Sequence, residues 1–406
     1  MRTSSNRGGR RWLFVAVVVG LLGGYAYYSL TRSITLVSPV TSIGKSQVGP
    51  TASKLDWPAT SQGAVGILDS SILETHGTQT PAPIASVAKV ITALTVLEKY
   101  PLQKGEKGPE ITLTEADVAL YNSYAAQDGS VVKVQAGEKI TEYQMLQAIM
   151  LPSANNLADS LAIWAYGSLP GYTSAANNYL SKNRLNATRV GVDASGLSPV
   201  SVSTANDLAR LGELAMENPV LAEIANQSTV NDFPVVGTIK NVNFLLGESG
   251  IVGVKTGNTD QAGGVFVGAS KVVINNKPVT IVTSVVGAQS LFSAMKESLV
   301  LTKSAQANFK IVAITQAGAI VGTYKLPWGG TAQVASSKEL SVKTWGGNKP
   351  TVVLKLDDIP SSAQGGTTVG SVSVGNSATS AAQSVPATLE ESIPQPSVLW
   401  RLTHPF

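Results

Sequence analysis

The 406-residue chain has no cysteine and only two histidines, His76 and His404. The first absence removes disulfides, thiolate nucleophiles and Cys-ligated metal sites. The second leaves too few ligands for a His-rich zinc site, and a Ser-His-Asp triad would have to recruit one of these two rings. No metal or cofactor is expected. The chain also lacks a basic body. Its formal net charge is +4, and Arg2, Arg7, Arg10 and Arg11 account for that excess within an N-terminal flank that holds no acid. A nucleic-acid binder needs a basic face on its folded part, so the neutral remainder argues against such a partner. Length predicts two or three domains.

What is present first is one long apolar run. Trp12 to Leu30 carries no charge, and a helix of that length spans roughly the 30 Å hydrocarbon core of a bilayer. Positive charge stays on the cytoplasmic side. Residues 1–31 therefore read as a cytoplasmic flank and a single-pass membrane anchor, with the rest of the chain outside. The run ends in Tyr25, Tyr27 and Tyr28, which suit an interface. The alternative is a cleaved signal peptide, with Gly24 and Ala26 as its small residues. Either way the body is exported.

Residues 32–56 are rich in Ser, Thr, Gly and Pro and read as a linker. Residues 57–302 mix β-rich runs (Ala64–Leu68, Val279–Val286) with helical patterns (Val87–Tyr100, Thr141–Met150, Leu157–Tyr166, Ala205–Met216). That order without regular βαβ alternation predicts an α+β domain. Short strands at turn-punctuated spacing, such as Ile320–Tyr324, Val352–Leu356 and Val369–Val374, predict a small β domain over residues 303–394. Residues 395–406 read as a frayed tail, Trp400 included.

With histidine scarce, a hydrolase needs another base. A lysine three residues after a serine shares its helix face, and burial beside a second cation yields a neutral amine. Ser-x-x-Lys occurs at Ser42, Ser86, Ser130 and Ser293. Ser42 lies in the linker, and Ser130-Val-Val-Lys133 sits in an alternating, strand-like run that points the pair to opposite faces. Ser293 has no companions downstream. Ser86-Val-Ala-Lys89 opens a strong helix after Pro81 and Pro83, where the dipole favours developing negative charge. The plain alternative is that Ser86 only caps the helix. Ser153-Ala-Asn155 follows Leu151-Pro152, and Ser-x-Asn also occurs at Ser4 and Ser181. Lys255-Thr256-Gly257 occurs once, at the end of an apolar run, with Gly263-Gly264 soon after. A glycine there lets backbone approach a ligand closely. His76 reads as a surface loop residue.

These three elements in this order match the set of β-lactamases and penicillin-binding proteins. The chain most resembles the serine D-alanyl-D-alanine carboxypeptidases, the low-molecular-mass penicillin-binding proteins. Pro83-Ile-Ala-Ser86-Val-Ala-Lys89, Leu151-Pro-Ser153-Ala-Asn155-Asn156, Asp193-Ala-Ser195-Gly196-Leu197 and Lys255-Thr-Gly-Asn258-Thr259 carry the resemblance over about residues 60–300. It implies a β-lactamase/transpeptidase-like catalytic domain, an antiparallel sheet flanked by helices, with an accessory C-terminal β domain. It departs from the family in lacking a C-terminal amphipathic helix of useful length. Residues 288–300 hold Lys296 but no arginine.

The resemblance implies that Ser86 attacks the penultimate D-alanine carbonyl of a peptidoglycan stem peptide, with Lys89 as base. Ser153 would relay the proton, and Asn155 would orient Lys89. Lys255 and Thr256 would hold the terminal carboxylate, and Gly257 would be a substrate-binding position. The backbone N–H groups of Ser86 and Asn258 would form the oxyanion hole, and β-lactams would acylate the same serine. An endopeptidase cutting crosslinks would use the same residues, and a catalytically idle peptidoglycan-binding protein is the non-enzymatic alternative. A class A β-lactamase would need a glutamate that Arg184-Leu185-Asn186 does not supply.

Overall fold

The computed structural model describes residues 7–34, 37–41, 54–274, 277–346, 350–374 and 383–404. Arg2, Ser4, Ser42 and Pro405 lie outside the described residues. The chain divides into two units: residues 51–310 with 345–347, and the remainder.

The second of these begins with α1 (Arg7–Thr31), whose Arg11–Thr31 stretch is long and apolar enough to cross a membrane. The segment after it is not simply a linker. Val37 bridges Ile359, and β1 (Pro39–Thr41) pairs with a strand of the C-terminal sheet, Pro39 opposite Tyr324.

In the larger unit, β2 (Gln62–Ile67) and β3 (Leu73–His76) form a hairpin. Five helices follow: α2 (Ala88–Lys99), α3 (Glu115–Ala125), α4 (Glu142–Met150), α5 (Asn155–Tyr166) and α6 (Leu169–Lys182). Next come α7 (Ala205–Glu217), then β4 (Ile251–Thr259), β5 (Gly263–Ile274), β6 (Lys277–Ala288) and α8 (Leu291–Ala307). The strands form an antiparallel sheet in the order β4-β5-β6-β2-β3. Successive strand residues point to opposite faces, so neighbours on β5 contact different helices. Val267 meets α7 at Gly212, where an added Cβ would lie 2.7 Å from Val267 and Val282. Gly268 lies instead beside Ser298 of α8, which shares a hydrogen bond of 2.8 Å with Thr283. The sheet is thus covered on both faces. α2 is buried from Ala88 to Leu97, the mark of a helix enclosed on all sides.

The smaller unit contains β7 (Ile320–Lys325), β8 (Thr331–Ser336), β9 (Val352–Leu356), β10 (Thr368–Val374) and β11 (Gln383–Leu389). With β1 they make an antiparallel sheet in the order β1-β7-β8-β11-β10-β9. Val321, Tyr324, Val334, Val372 and Leu389 belong to its core. The expected frayed tail is instead a short helix, α9 (Val398–Thr403). Tyr25 donates to the Leu402 carbonyl at 2.5 Å, and Arg401 donates to that of Leu30 at 3.1 Å. Trp400 packs edge-on against Trp328, whose indole N–H bonds the Pro394 carbonyl. These contacts give the end partners that the sequence did not announce. The fold is α+β with a β-rich C-terminal part, as expected.

One buried group is unbalanced. Glu142, the first residue of α4, is fully buried, and neither carboxylate oxygen has a hydrogen-bond partner among the described residues. Burial raises its pKa to about 7. The folded state therefore holds a proton that the unfolded chain releases near pH 4.5. Stability is lost as pH rises from there to about 7, and the penalty persists above it. Glu142→Gln should remove that loss. Thermal melts at pH 8 should show a gain of roughly 2–3 kcal/mol, with little difference at pH 4. A gain that is equal at both pH values would refute the account.

Candidate active site

Ser86 lies in a 3₁₀ turn, Ala85–Val87, that leads directly into α2. It does not act as a helix cap: the residue before α2 is Val87, with no side-chain capping bond. Ala85 has φ of +47°, a left-handed conformation that costs a residue with a Cβ about 1–2 kcal/mol. Two glycines crowd this turn. A Cβ on Gly196 would lie 2.0 Å from the Ala85 carbonyl oxygen, and one on Gly257 would lie 2.8 Å from that of Ile84. The strained turn is clamped from both sides by backbone that only glycine can supply.

Lys89 follows one helical turn later and is fully buried. Its amine donates to Asn155 Oδ1 at 2.7 Å and to the Ser195 carbonyl at 2.8 Å, and its third contact, at 2.8 Å, is Ser86 Oγ, whose hydroxyl can donate to the lone pair of the neutral amine. Burial pushes its pKa well below the usual lysine range, and Lys255 pushes it further the same way. Asp193 and Asp159 pull in the opposite direction. Lys255, also buried, is lowered to about 7 by desolvation. It donates to Ser153 Oγ at 3.0 Å and to the Thr256 carbonyl at 3.1 Å. Ser153 sits between α4 and α5 with φ of +66°. Asn155 opens α5.

The site residues expected from sequence therefore meet in two linked groups. Ser86, Lys89 and Asn155 form one, and Lys255, Thr256 and Ser153 the other. Gly257 packs on the backbone before the nucleophile candidate. Asn258 follows it on β4, exposed and paired with Gly264.

The other serines are elsewhere. Ser130 and Lys133 are exposed. The expected strand there is an extended segment without strand pairing; the Asn156 amide binds both the N–H and carbonyl of Val132 in place of a neighbouring strand. Ser293 sits in the first turn of α8, bonded to the cap Ser290. His76 is on β3, not in a loop, and its ring stacks on Trp57 at 5.4 Å.

Sequence reasoning missed the 193–198 turn as a working part of the site. Asp193 Oδ1 accepts from the N–H groups of Ser195, Gly196 and Leu197, and Oδ2 from that of Ser198. This fixes the Ser195 carbonyl on Lys89. The Asp-x-Ser-Gly spelling is an Asx-turn signal and could have pointed there.

Comparison with known proteins gives the family. The profile of the D-alanyl-D-alanine carboxypeptidase family matches residues 51–290, and the chain belongs to that family. It is 27% identical over 262 residues to a D-alanyl-D-alanine endopeptidase of Escherichia coli, covering 63% of this chain and 80% of the relative. A Streptomyces D-alanyl-D-alanine carboxypeptidase is 28% identical over 243 residues, 55% of this chain and 77% of that one. Among solved structures, a peptidoglycan synthesis regulatory factor from Streptococcus pneumoniae superposes with a TM-score of 0.58 at 20% identity, over 85% of this chain and all of its own. That likeness shares the fold.

Gly196→Ala tests the clamp. Gly137 has a similar φ, +83°, with nothing within 4 Å of an added Cβ, whereas Gly196 meets Ala85. Gly137→Ala should cost about 1–2 kcal/mol in a denaturant melt, and Gly196→Ala at least about 2 kcal/mol more. Equal losses would show that the close approach carries no energy.

Proposed function

We propose that the chain is an exported, membrane-tethered serine D-alanyl-D-alanine carboxypeptidase that removes the terminal D-alanine from peptidoglycan stem peptides through an acyl-enzyme on Ser86. The observation that carries this reading is the buried Lys89 amine, 2.8 Å from the Ser86 hydroxyl and disfavoured as a cation. Family membership supports the substrate class.

In this mechanism neutral Lys89 takes the Ser86 proton as Oγ bonds to the penultimate D-alanine carbonyl carbon. The Ser86 and Asn258 N–H groups receive the oxyanion. Ser153, bonded to Lys255, passes a proton to the departing amine as the C–N bond breaks. Lys255 and Thr256 hold the terminal carboxylate, with Gly257 allowing close approach. Water then repeats the addition, and serine leaves. Lys255 also keeps Lys89 neutral by like-charge repulsion. A β-lactam acylates the same serine and stays. Residues 57–302 carry this chemistry, and 303–394 form the accessory β domain. α1 is the anchor, its arginine-rich start in the cytoplasm.

A second reading is an endopeptidase cutting peptide crosslinks. It is favoured by the names of the Escherichia coli relative and of one from Pseudomonas aeruginosa, 30% identical over 206 residues.

The test sets the full chain and Ser86→Ala against a D-Ala-D-Ala-terminated pentapeptide, a crosslinked dimer and a fluorescent penicillin. Wild type should release D-alanine and become labelled, and Ser86→Ala should lose both by more than about 10³-fold. Cleavage of the dimer alone would select the endopeptidase. A fully reactive Ser86→Ala would overturn both readings.

A further inference from the structure

The mechanism above leaves one buried carboxylate near Lys89 without a role. Asp159 is one turn along α5 from Asn155, so both point to the same side of the helix. It is buried. Its Oδ1 accepts from the Ala194 N–H at 2.8 Å and its Oδ2 from the Tyr124 hydroxyl at 2.6 Å. The Ala194 carbonyl is held in turn by Thr92 Oγ1 at 2.7 Å, and the next carbonyl, of Ser195, accepts from Lys89. The backbone leading into the carbonyl that touches Lys89 is thus tied at Ala194 to α2 through Thr92 and to α5 through Asp159.

Charge points the same way. The titratable groups facing Asp159 are Tyr124 from α3, Asp193 from the turn, Tyr172 from α6 and Lys89 from α2. Of these only Lys89 is a cation when protonated. A cavity of about 430 Å³ lined by Tyr124, Asp159, Asp193 and Ser198 gives the cluster a surface opening. Burial raises the Asp159 pKa to about 6, against the bonds from Tyr124 and Ala194.

We propose that Asp159 is a positioning residue for Lys89: it fixes the Ser195 carbonyl on the amine, and its charge stabilises the ammonium formed when Lys89 takes the serine proton. Lys255 makes the amine free to accept, and Asp159 makes acceptance favourable. This inference rests on the reading of Ser86 and Lys89 as nucleophile and base.

The experiment measures acylation of the full chain by a fluorescent penicillin against pH, for wild type, Ser86→Ala, Asp159→Asn and Tyr124→Phe, with a thermal melt of each. The acid limb reports solvent protonation of Lys89. Removing the Asp159 charge makes the ammonium less favourable, so Asp159→Asn should move the limb to lower pH by about one unit and slow acylation at the plateau by at least about 10-fold. Tyr124→Phe removes the bond that keeps Asp159 ionised and should move the limb the same way by less. A merely structural role lowers the rate without moving the limb. An unmoved limb in folded Asp159→Asn overturns the inference and leaves the site reading standing. If that variant does not fold, the limb of Tyr124→Phe decides. Wild type that is not labelled, or label that survives in Ser86→Ala, removes the site reading and this inference together.

Discussion

Burying a lysine costs several kcal/mol unless its N–H groups find acceptors. Lys89 has three polar partners, each from a different part of the chain: two acceptors, an asparagine on α5 and a carbonyl of the 193–198 turn, and the Ser86 hydroxyl on the preceding turn, which faces its lone pair. Much of the larger unit is arranged to bring those partners together. α2 must be enclosed on all sides for the lysine to be dry. Asn155 must open α5, which requires the chain to turn sharply at Ser153. The carbonyl requires Asp193 to gather four backbone N–H groups into one tight turn. Gly196 must lack a side chain so that this turn can rest on Ala85.

Two buried lysines beside one another raise a second constraint. Each is destabilised as a cation by burial, and Lys255 adds repulsion at Lys89. A site built only that way would hold an amine that resists protonation. A general base must give up its lone pair and then carry the charge. Asp159 and Asp193 counter the repulsion without touching the amine; their effect reaches it through space and through the 193–196 backbone they hold. Basicity and neutrality are thus set by different neighbours, which is how opposing demands on one group are met in a low-dielectric site.

Much of this was legible in the sequence because it is written in short motifs and strong periodicity. The helix over 88–99 and the strands β2 and β6 follow from long apolar patterns, and Ser86, Lys89, Ser153, Asn155 and Lys255 are picked out by motif order, whereas β3 and β5 are not among the predicted elements. Less was visible where structure depends on distant partners. α3 has Tyr124 as its one buried residue, so no apolar stripe announces it. The 130–134 segment alternates like a strand but is satisfied by the Asn156 side chain, which periodicity cannot report. β1 is three residues in a polar stretch and exists because a sheet edge accepts it. α9 is too short to register as a helix and is held by contacts to Tyr25 and Trp328. The Asp159–Ala194 bond joins residues 35 positions apart, and no local rule pairs them.

Two of the places where local rules are broken are the most informative. Ala85 and Ser153 both adopt positive φ, where glycine or asparagine would be the ordinary choice. Neither carries a turn signal, so sequence reasoning passes over them. Each precedes or forms part of a reactive motif, Ala85 before Ser86 and Ser153 within Ser-x-Asn. Relaxing Ala85 would swing the Ser86 side chain away from Lys89, and relaxing Ser153 would move its own hydroxyl away from Lys255. The strain is held by the close packing of Gly196 and Gly257 on one side and by the Lys255–Ser153 bond on the other. Strain of this kind persists only where the surroundings over-determine it, and here they include Lys255, which also lowers the Lys89 pKa. Geometry and electrostatics at the site are therefore one arrangement, and a substitution that eases the backbone should disturb the proton balance as well.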